Sequence, residues 1–267
     1  MSTEPQDDPE PDLKADRDTL PFLMLLPNLV TILGLCAGLT AIRFAFAGDF
    51  RPAAVLIVFA ALIDGFDGML ARRLKATSAF GSELDSLSDF LSFGVAPGIL
   101  VYQFAMGGSP DFGWVFVLGY VSCCCLRLAR FNVAKNAIPV PGLIPSRHFV
   151  GVPAPGGALL ALLPIYLSFE GHIDATAYPE ASALYLGMVG ILMVSRLPTF
   201  SPKWFRIPRD RAILLVIGSA MLIGVILTRF WQSMIVIDLV YLAMLARSLY
   251  QSIRNRRAKP AAKTPDS

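Results

Sequence analysis

Four aspartates carry the chemistry that is legible in this chain. They lie in the segment at 63–90, IDGFDGMLARRLKATSAFGSELDSLSDF, with Asp64 and Asp67 three apart and Asp85 and Asp89 four apart. Residues at those spacings share one face of a helix, so two helical ends can each turn a pair of carboxylates toward one spot. An all-oxygen set with no His or Cys nearby suits Mg²⁺ or Mn²⁺ rather than zinc. Two such ions about 3.5–4 Å apart bridge phosphoryl oxygens and orient an incoming nucleophile. Gly65, Gly68 and Gly81 remove Cβ atoms where a polyphosphate must approach backbone. Arg72, one turn beyond Gly68, offers a guanidinium fork for a phosphate oxygen.

The elements that must position these carboxylates are apolar. Residues 53–63 before the segment and 90–105 after it carry almost no polar side chains. A carboxylate at the centre of an inserted helix costs about 2.5–3.5 kcal/mol, and four cost on the order of 10. No stability argument asks for them. Solvated loop charges are the bland alternative, but like charges at this spacing repel unless a cation or proton lies between them.

With 55% hydrophobic and 16% charged residues in 267, and a mean hydropathy of +0.59, the chain is too apolar for an ordinary soluble domain. The expectation is an all-α polytopic membrane protein with about eight transmembrane helices, at roughly 27–47, 52–72, 84–106, 112–132, 152–169, 181–195, 212–228 and 231–249. The connections at 133–151 and 196–211 are the long ones. Residues 1–20 read as an acidic, proline-rich disordered tail with no cleavable signal peptide. Residues 21–250 form the transmembrane catalytic domain, and 251–267 a basic cytoplasmic tail.

Placing both tails in the cytoplasm puts 20 of the 23 Lys and Arg residues there, leaving Arg43, Arg51 and Arg229 across the bilayer. The aspartates then open on the cytoplasmic face of the cell (inner) membrane. The tract at 254–263, RNRRAKPAAK, reads as a topological flank before it reads as a lipid-headgroup site. Cys36, Cys123, Cys124 and Cys125 lie in apolar windows; the last three are consecutive on a helix and point apart, so they read as fillers. Asp238, inside the last span, is an intramembrane charge without a nearby partner in sequence.

The pattern Asp64-x2-Asp67-Gly68-x2-Ala71-Arg72-x8-Gly81-x3-Asp85-x3-Asp89 resembles, at every fixed position, the signature of the CDP-alcohol phosphatidyltransferases. The resemblance covers the first six spans and implies a six-helix core. In such a core a CDP-linked lipid enters from the bilayer, its phosphates meet a metal pair, and an alcohol displaces CMP. It further implies that Asp64, Asp67, Asp85 and Asp89 are metal ligands and that Asp89 is also the catalytic base. Gly68, Arg72, Ser78 and Gly81 would hold the CDP portion, with Ala71 kept small beneath the nucleotide. Asn28 and Thr31, in LPNLVTILGL, match a further contact to the nucleotide-lipid; the same stretch reads equally as a helix start with Pro27 in its first turn.

Three stretches carry a narrower resemblance, to the membrane-integral phosphatidylserine synthases: RLARFNV at 127–133, FVGVPAPGGA at 149–158 and VSRLPTFSPKW at 194–204. It implies CDP-diacylglycerol and L-serine as substrates, two Mg²⁺ or Mn²⁺ ions, membrane lipid surroundings and a homodimer, with no nucleic-acid partner. Arg127 and Arg130, three apart, can face one site and hold a carboxylate or phosphate. Asn132 and Arg196 complete the expected acceptor contacts. Positive-inside placement alone also accounts for arginines at these ends. The alternatives are another acceptor within the family, such as glycerol 3-phosphate, an inositol phosphate or choline, and, from a different class, a divalent-cation transporter. Transport fits less well, because the aspartates flank the loop expected at 73–82 rather than a midplane break, and an arginine accompanies them.

Overall fold

A computed structural model describes residues 22–74, 78–107, 110–136, 151–195 and 212–258. Among these residues there is no strand. The helices are α1 (Phe22–Ala47), α2 (Phe50–Leu74), α3 (Ala79–Asp89), α4 (Ala96–Ala105), α5 (Pro110–Asn136), α6 (Ala154–Ala161), α7 (Leu163–Phe169), α8 (Pro179–Val194), α9 (Ala212–Thr228) and α10 (Phe230–Ala258). A π-helical segment, Phe90–Val95, joins α3 to α4 without a break, and a 3-10 turn, Ala175–Ala177, precedes α8. The tail at 1–20 and the connections at 137–150 and 196–211, Arg196 included, lie outside the described residues.

Among the described residues, five helical stretches are long and apolar enough to cross a bilayer: Leu26–Ala47, Phe50–Leu70, Ala79–Ala105, Phe112–Ala134 and Phe230–Gln251. Shorter apolar helices occupy Ala154–Phe169, Pro179–Val194 and Gly218–Thr228, so each of the eight expected windows is helical. Large apolar side chains such as Leu62, Leu126, Ile191 and Leu227 are exposed on the outside of the bundle. An exposed apolar belt of this extent faces lipid, and the chain is an integral membrane protein.

Local chemistry sets the corners. Gly48 ends α1 with φ +82°, while its N–H donates to Ala45 O (3.2 Å) and the Asp49 N–H donates to Phe44 O (3.0 Å). This pair of bonds is the Schellman arrangement, and it turns α2 back antiparallel to α1. In the third span Pro97 has no N–H to give the carbonyl four residues earlier, that of Phe93. The Tyr120 hydroxyl, from fully buried Tyr120 on α5, donates to that carbonyl at 2.8 Å. The π segment therefore sits where proline would otherwise leave a buried acceptor unpaired.

One end of the bundle carries an aromatic girdle. Phe50 meets Phe104 (ring centroids 5.0 Å apart), Phe104 meets Phe169 (5.7 Å) and Phe169 meets Trp231 (4.7 Å). Arg51 lies over Phe169 and donates to its carbonyl at 3.3 Å. Rings and a cation at a helix end mark a membrane–water boundary. The aspartates lie at the far ends of the same helices.

Of the segment at 73–82, expected to be a cytoplasmic loop, the described residues 73–74 and 79–82 are helical. α2 continues to Leu74 and α3 begins at Ala79, five residues before the expected start of the third span. The reason is Ser78, whose hydroxyl accepts the Gly81 N–H at 2.9 Å and caps the helix.

Candidate metal centre and acceptor wall

α2 presents Asp64 and Asp67, and α3 presents Asp85; one carboxylate oxygen from each lies within 4.8 Å of the others. Asp67 is only 5% exposed. Asp89, the last residue of α3, meets Asp64 side chain to side chain in hydrogen-bonding contact. Two carboxyl groups that close hold a proton or a cation between them. The four aspartates line one cleft with Thr31, Gly34, Ser88 and Ser92. The donor set is oxygen only and its spacing fits hard divalent cations.

The neighbouring helix α1 braces this centre. Thr31 is buried, and its hydroxyl lies 3.0 Å from Asp67 Oδ2 and 3.1 Å from Pro27 O. The Ser88 hydroxyl donates to Thr31 O (3.2 Å) and that of Ser92 to Gly34 O (3.3 Å). Serines at this spacing let α1 and the third span approach closely while satisfying backbone acceptors.

The remaining expected residues divide into several groups. Asn28 stands against Gly81: a Cβ at position 81 would lie 2.8 Å from Asn28 Oδ1 and 3.1 Å from Ser78 Oγ. Gly65 and Gly68 are exposed, and a Cβ at either would meet nothing within 4 Å. Glycine costs about 0.8–1.0 kcal/mol against alanine inside a helix, so packing within this chain does not account for them. Ala71 and Arg72 fall in the last turn of α2, with side chains outside what is described.

Arg127 of α5 lies within electrostatic range of Asp89 and Asp64, and its Nε donates to Val152 O at 2.6 Å. Arg130 is exposed, and its Nη1 donates to Val194 O at 3.2 Å, at the end of α8. Asn132 donates through Nδ2 to Ser86 Oγ at 2.9 Å and so ties α5 to α3 beside Asp85. Cys124 is buried against Gly94 while Cys125 on the same helix is exposed, as consecutive helical positions require.

The chain matches the family model described as CDP-alcohol phosphatidyltransferase over residues 24–244. It belongs to the CDP-alcohol phosphatidyltransferase family. The chain is therefore a membrane transferase, and the family match extends beyond the six spans expected from the motifs into α10.

Three relatives illustrate the range. The CDP-diacylglycerol–serine O-phosphatidyltransferase of Mycobacterium leprae is 37% identical over 223 residues, covering 82% of this chain and 73% of the relative. The protein of the same name from Helicobacter pylori (strain ATCC 700392 / 26695) is 34% identical over 185 residues, 68% of this chain and 76% of the relative. The archaetidylserine synthase of Methanothermobacter thermautotrophicus is 34% identical over 176 residues, 64% and 67% respectively.

Three groups of residues here were not part of the expected site. Ser88 and Ser92 continue the phase of Asp85 along the third span, which is their only trace in sequence. Ser86 has no such signal, because its partner Asn132 lies two helices and forty-six residues further along the chain. Asp238, buried on α10, has Tyr166 of α7 and Tyr185 of α8 in electrostatic range.

Proposed function

We propose that the chain transfers the phosphatidyl group of CDP-diacylglycerol to the hydroxyl of L-serine, giving phosphatidylserine and CMP. The observation that carries this reading is the juxtaposition of three convergent aspartates, Asp89 against Asp64, and Arg127 within electrostatic range of both, in a family member whose relatives bear serine-transferase names. The reaction takes place at the cytoplasmic side of the cell (inner) membrane, in a homodimer.

Asp64, Asp67, Asp85 and Asp89 would hold two Mg²⁺ or Mn²⁺ ions, which, when bound, supply positive charge to the phosphoryl oxygens of the transition state. Thr31 fixes the rotamer of Asp67 through its hydroxyl. Gly65 and Gly68 leave the face of α2 open, so the diphosphate comes close to backbone there. Asn28, held over Gly81, adds an amide to the nucleotide side of the cleft, with Ser78, Arg72 and Ala71 around it.

The serine hydroxyl does not ionise in neutral water. Asp89 takes its proton as the oxygen forms its bond to the diacylglycerol-bearing phosphorus; the bond from that phosphorus to the bridging oxygen breaks, and CMP leaves with the electron pair. Arg127 offers its guanidinium to the carboxylate of serine, with Arg130 and Asn132 shaping the same wall. Proximity matters here as much as basicity, since the attack must be in line with the leaving oxygen.

The reading is tested by CMP release from the purified chain in mixed micelles containing CDP-diacylglycerol and Mg²⁺ or Mn²⁺, with L-serine, glycerol 3-phosphate, inositol phosphate and choline compared. Release that depends on serine and on metal is the expected result. Release with a different acceptor keeps the metal centre and removes serine; no release with any of them overturns the reading.

A further inference from the structure

Among the described residues, three buried side-chain polar atoms have no hydrogen-bond partner: Tyr166 Oη, Asp238 Oδ2 and Tyr241 Oη. A buried polar group left unpaired is costly enough that each one calls for a reason. Tyr166, whose ring lies 5.8 Å from that of Trp231 in the girdle, and Asp238 are within electrostatic range of one another across the α7–α10 contact. Tyr241 is different. It lies three residues further along α10, on the face that carries Asp238 and further from the aromatic girdle, toward the aspartate end.

The surroundings of Tyr241 belong to the active centre. A Cβ on Gly156 would stand 3.4 Å from the Tyr241 ring and 3.5 Å from its hydroxyl, so the ring bears directly on the first turn of α6. That turn follows Val152, whose carbonyl holds Arg127 Nε at 2.6 Å. Arg127 lies within electrostatic range of Tyr241, Asp89 and Asp64. The guanidinium is thus anchored on a carbonyl, and the phenol within its electrostatic range is without a hydrogen-bond partner.

We propose that Tyr241 determines acceptor specificity: its hydroxyl donates a hydrogen bond to the carboxylate of the acceptor, beside Arg127. The assignment rests on the serine reading above. A phenol O–H next to a guanidinium suits an anionic oxygen, because a single carboxylate satisfies both donors at once. It gives α10, outside the six-helix core, a direct part in the reaction. The family match reaches residue 244 and includes this position.

The test compares full-length wild type, Tyr241→Phe and Tyr166→Phe in mixed micelles, varying L-serine at saturating CDP-diacylglycerol and the reverse. A hydrogen bond to a charged group is worth about 1.5–3 kcal/mol, or roughly 10- to 150-fold in affinity. Tyr241→Phe is expected to raise the KM for serine at least about tenfold while the KM for CDP-diacylglycerol and kcat stay within threefold. The preference for L-serine over ethanolamine, which lacks the carboxylate, falls by the same factor. Tyr166→Phe, which removes another unpaired buried hydroxyl but at the girdle end of the bundle, leaves both KM values unchanged. An unchanged serine KM in Tyr241→Phe overturns the proposal, as does a parallel rise in both KM values, which would place the hydroxyl on the CDP-lipid phosphate or in packing. Wild-type protein that ignores serine overturns the functional reading instead.

Discussion

The hydroxyl of Thr31 lies 3.0 Å from Oδ2 of Asp67, thirty-six residues away and on the neighbouring helix. A residue expected to touch the nucleotide-lipid thus holds a carboxylate of the metal centre. Thr31→Val keeps the shape and removes the hydroxyl. We expect the apparent affinity for Mg²⁺ or Mn²⁺ to fall about tenfold or more, the usual size of such outer contacts, with the KM for CDP-diacylglycerol unchanged. Metal titration of activity decides it: a shift in the lipid KM alone would give Thr31 to the substrate.

Gly81 and Asn28 are in contact that no larger residue at 81 would allow. Gly81→Ala puts a Cβ 2.8 Å from Asn28 Oδ1 and 3.1 Å from the capping Ser78 hydroxyl, so Asn28 must turn away. Activity should fall at least about tenfold through the KM for CDP-diacylglycerol. Because both changes act through one side chain, the Asn28→Ala/Gly81→Ala double variant should be no worse than Asn28→Ala alone. Additive losses would separate the two residues.

Asp89 touches Asp64 but lies at the end of α3, one turn past Asp85. Loss of a positioned base costs typically 10²–10⁴-fold. Asp89→Asn is expected to lose turnover by about that factor while retaining binding of CDP-diacylglycerol. EDTA should abolish wild-type activity, and Mg²⁺ or Mn²⁺ should restore it. Full turnover in Asp89→Asn would remove Asp89 from proton transfer.

Asn132 and Ser86 tie α5 to α3 at 2.9 Å, next to Asp85. Deleting either partner, as Asn132→Ala or Ser86→Ala, removes one hydrogen bond worth about 1 kcal/mol. The pair should therefore lower the unfolding midpoint of the detergent-solubilised protein non-additively, the double variant matching the worse single. An Asn132→Ala that raises the serine KM with no change in midpoint would instead put the amide on the acceptor.

What could be read from the chain alone was what depends on local spacing. The eight apolar windows follow from length and hydropathy, because a bilayer leaves helices as the way to satisfy the backbone. The convergence of Asp64, Asp67 and Asp85 follows from helical periodicity, and their chemistry from the cost of keeping carboxylates at a membrane boundary. Ser78 as a cap is legible in kind, since serine before a helical run is a helix start. The tertiary structure decided the contacts between helices distant in sequence. It set Thr31 on Asp67, Tyr120 on the carbonyl that Pro97 leaves free, Arg127 on the Val152 carbonyl within electrostatic range of Asp89 and Asp64, and Tyr241 against Gly156. The physical reason is that apolar helices in lipid are nearly interchangeable by composition. Which faces meet depends on small residues and single polar groups whose partners no periodicity announces.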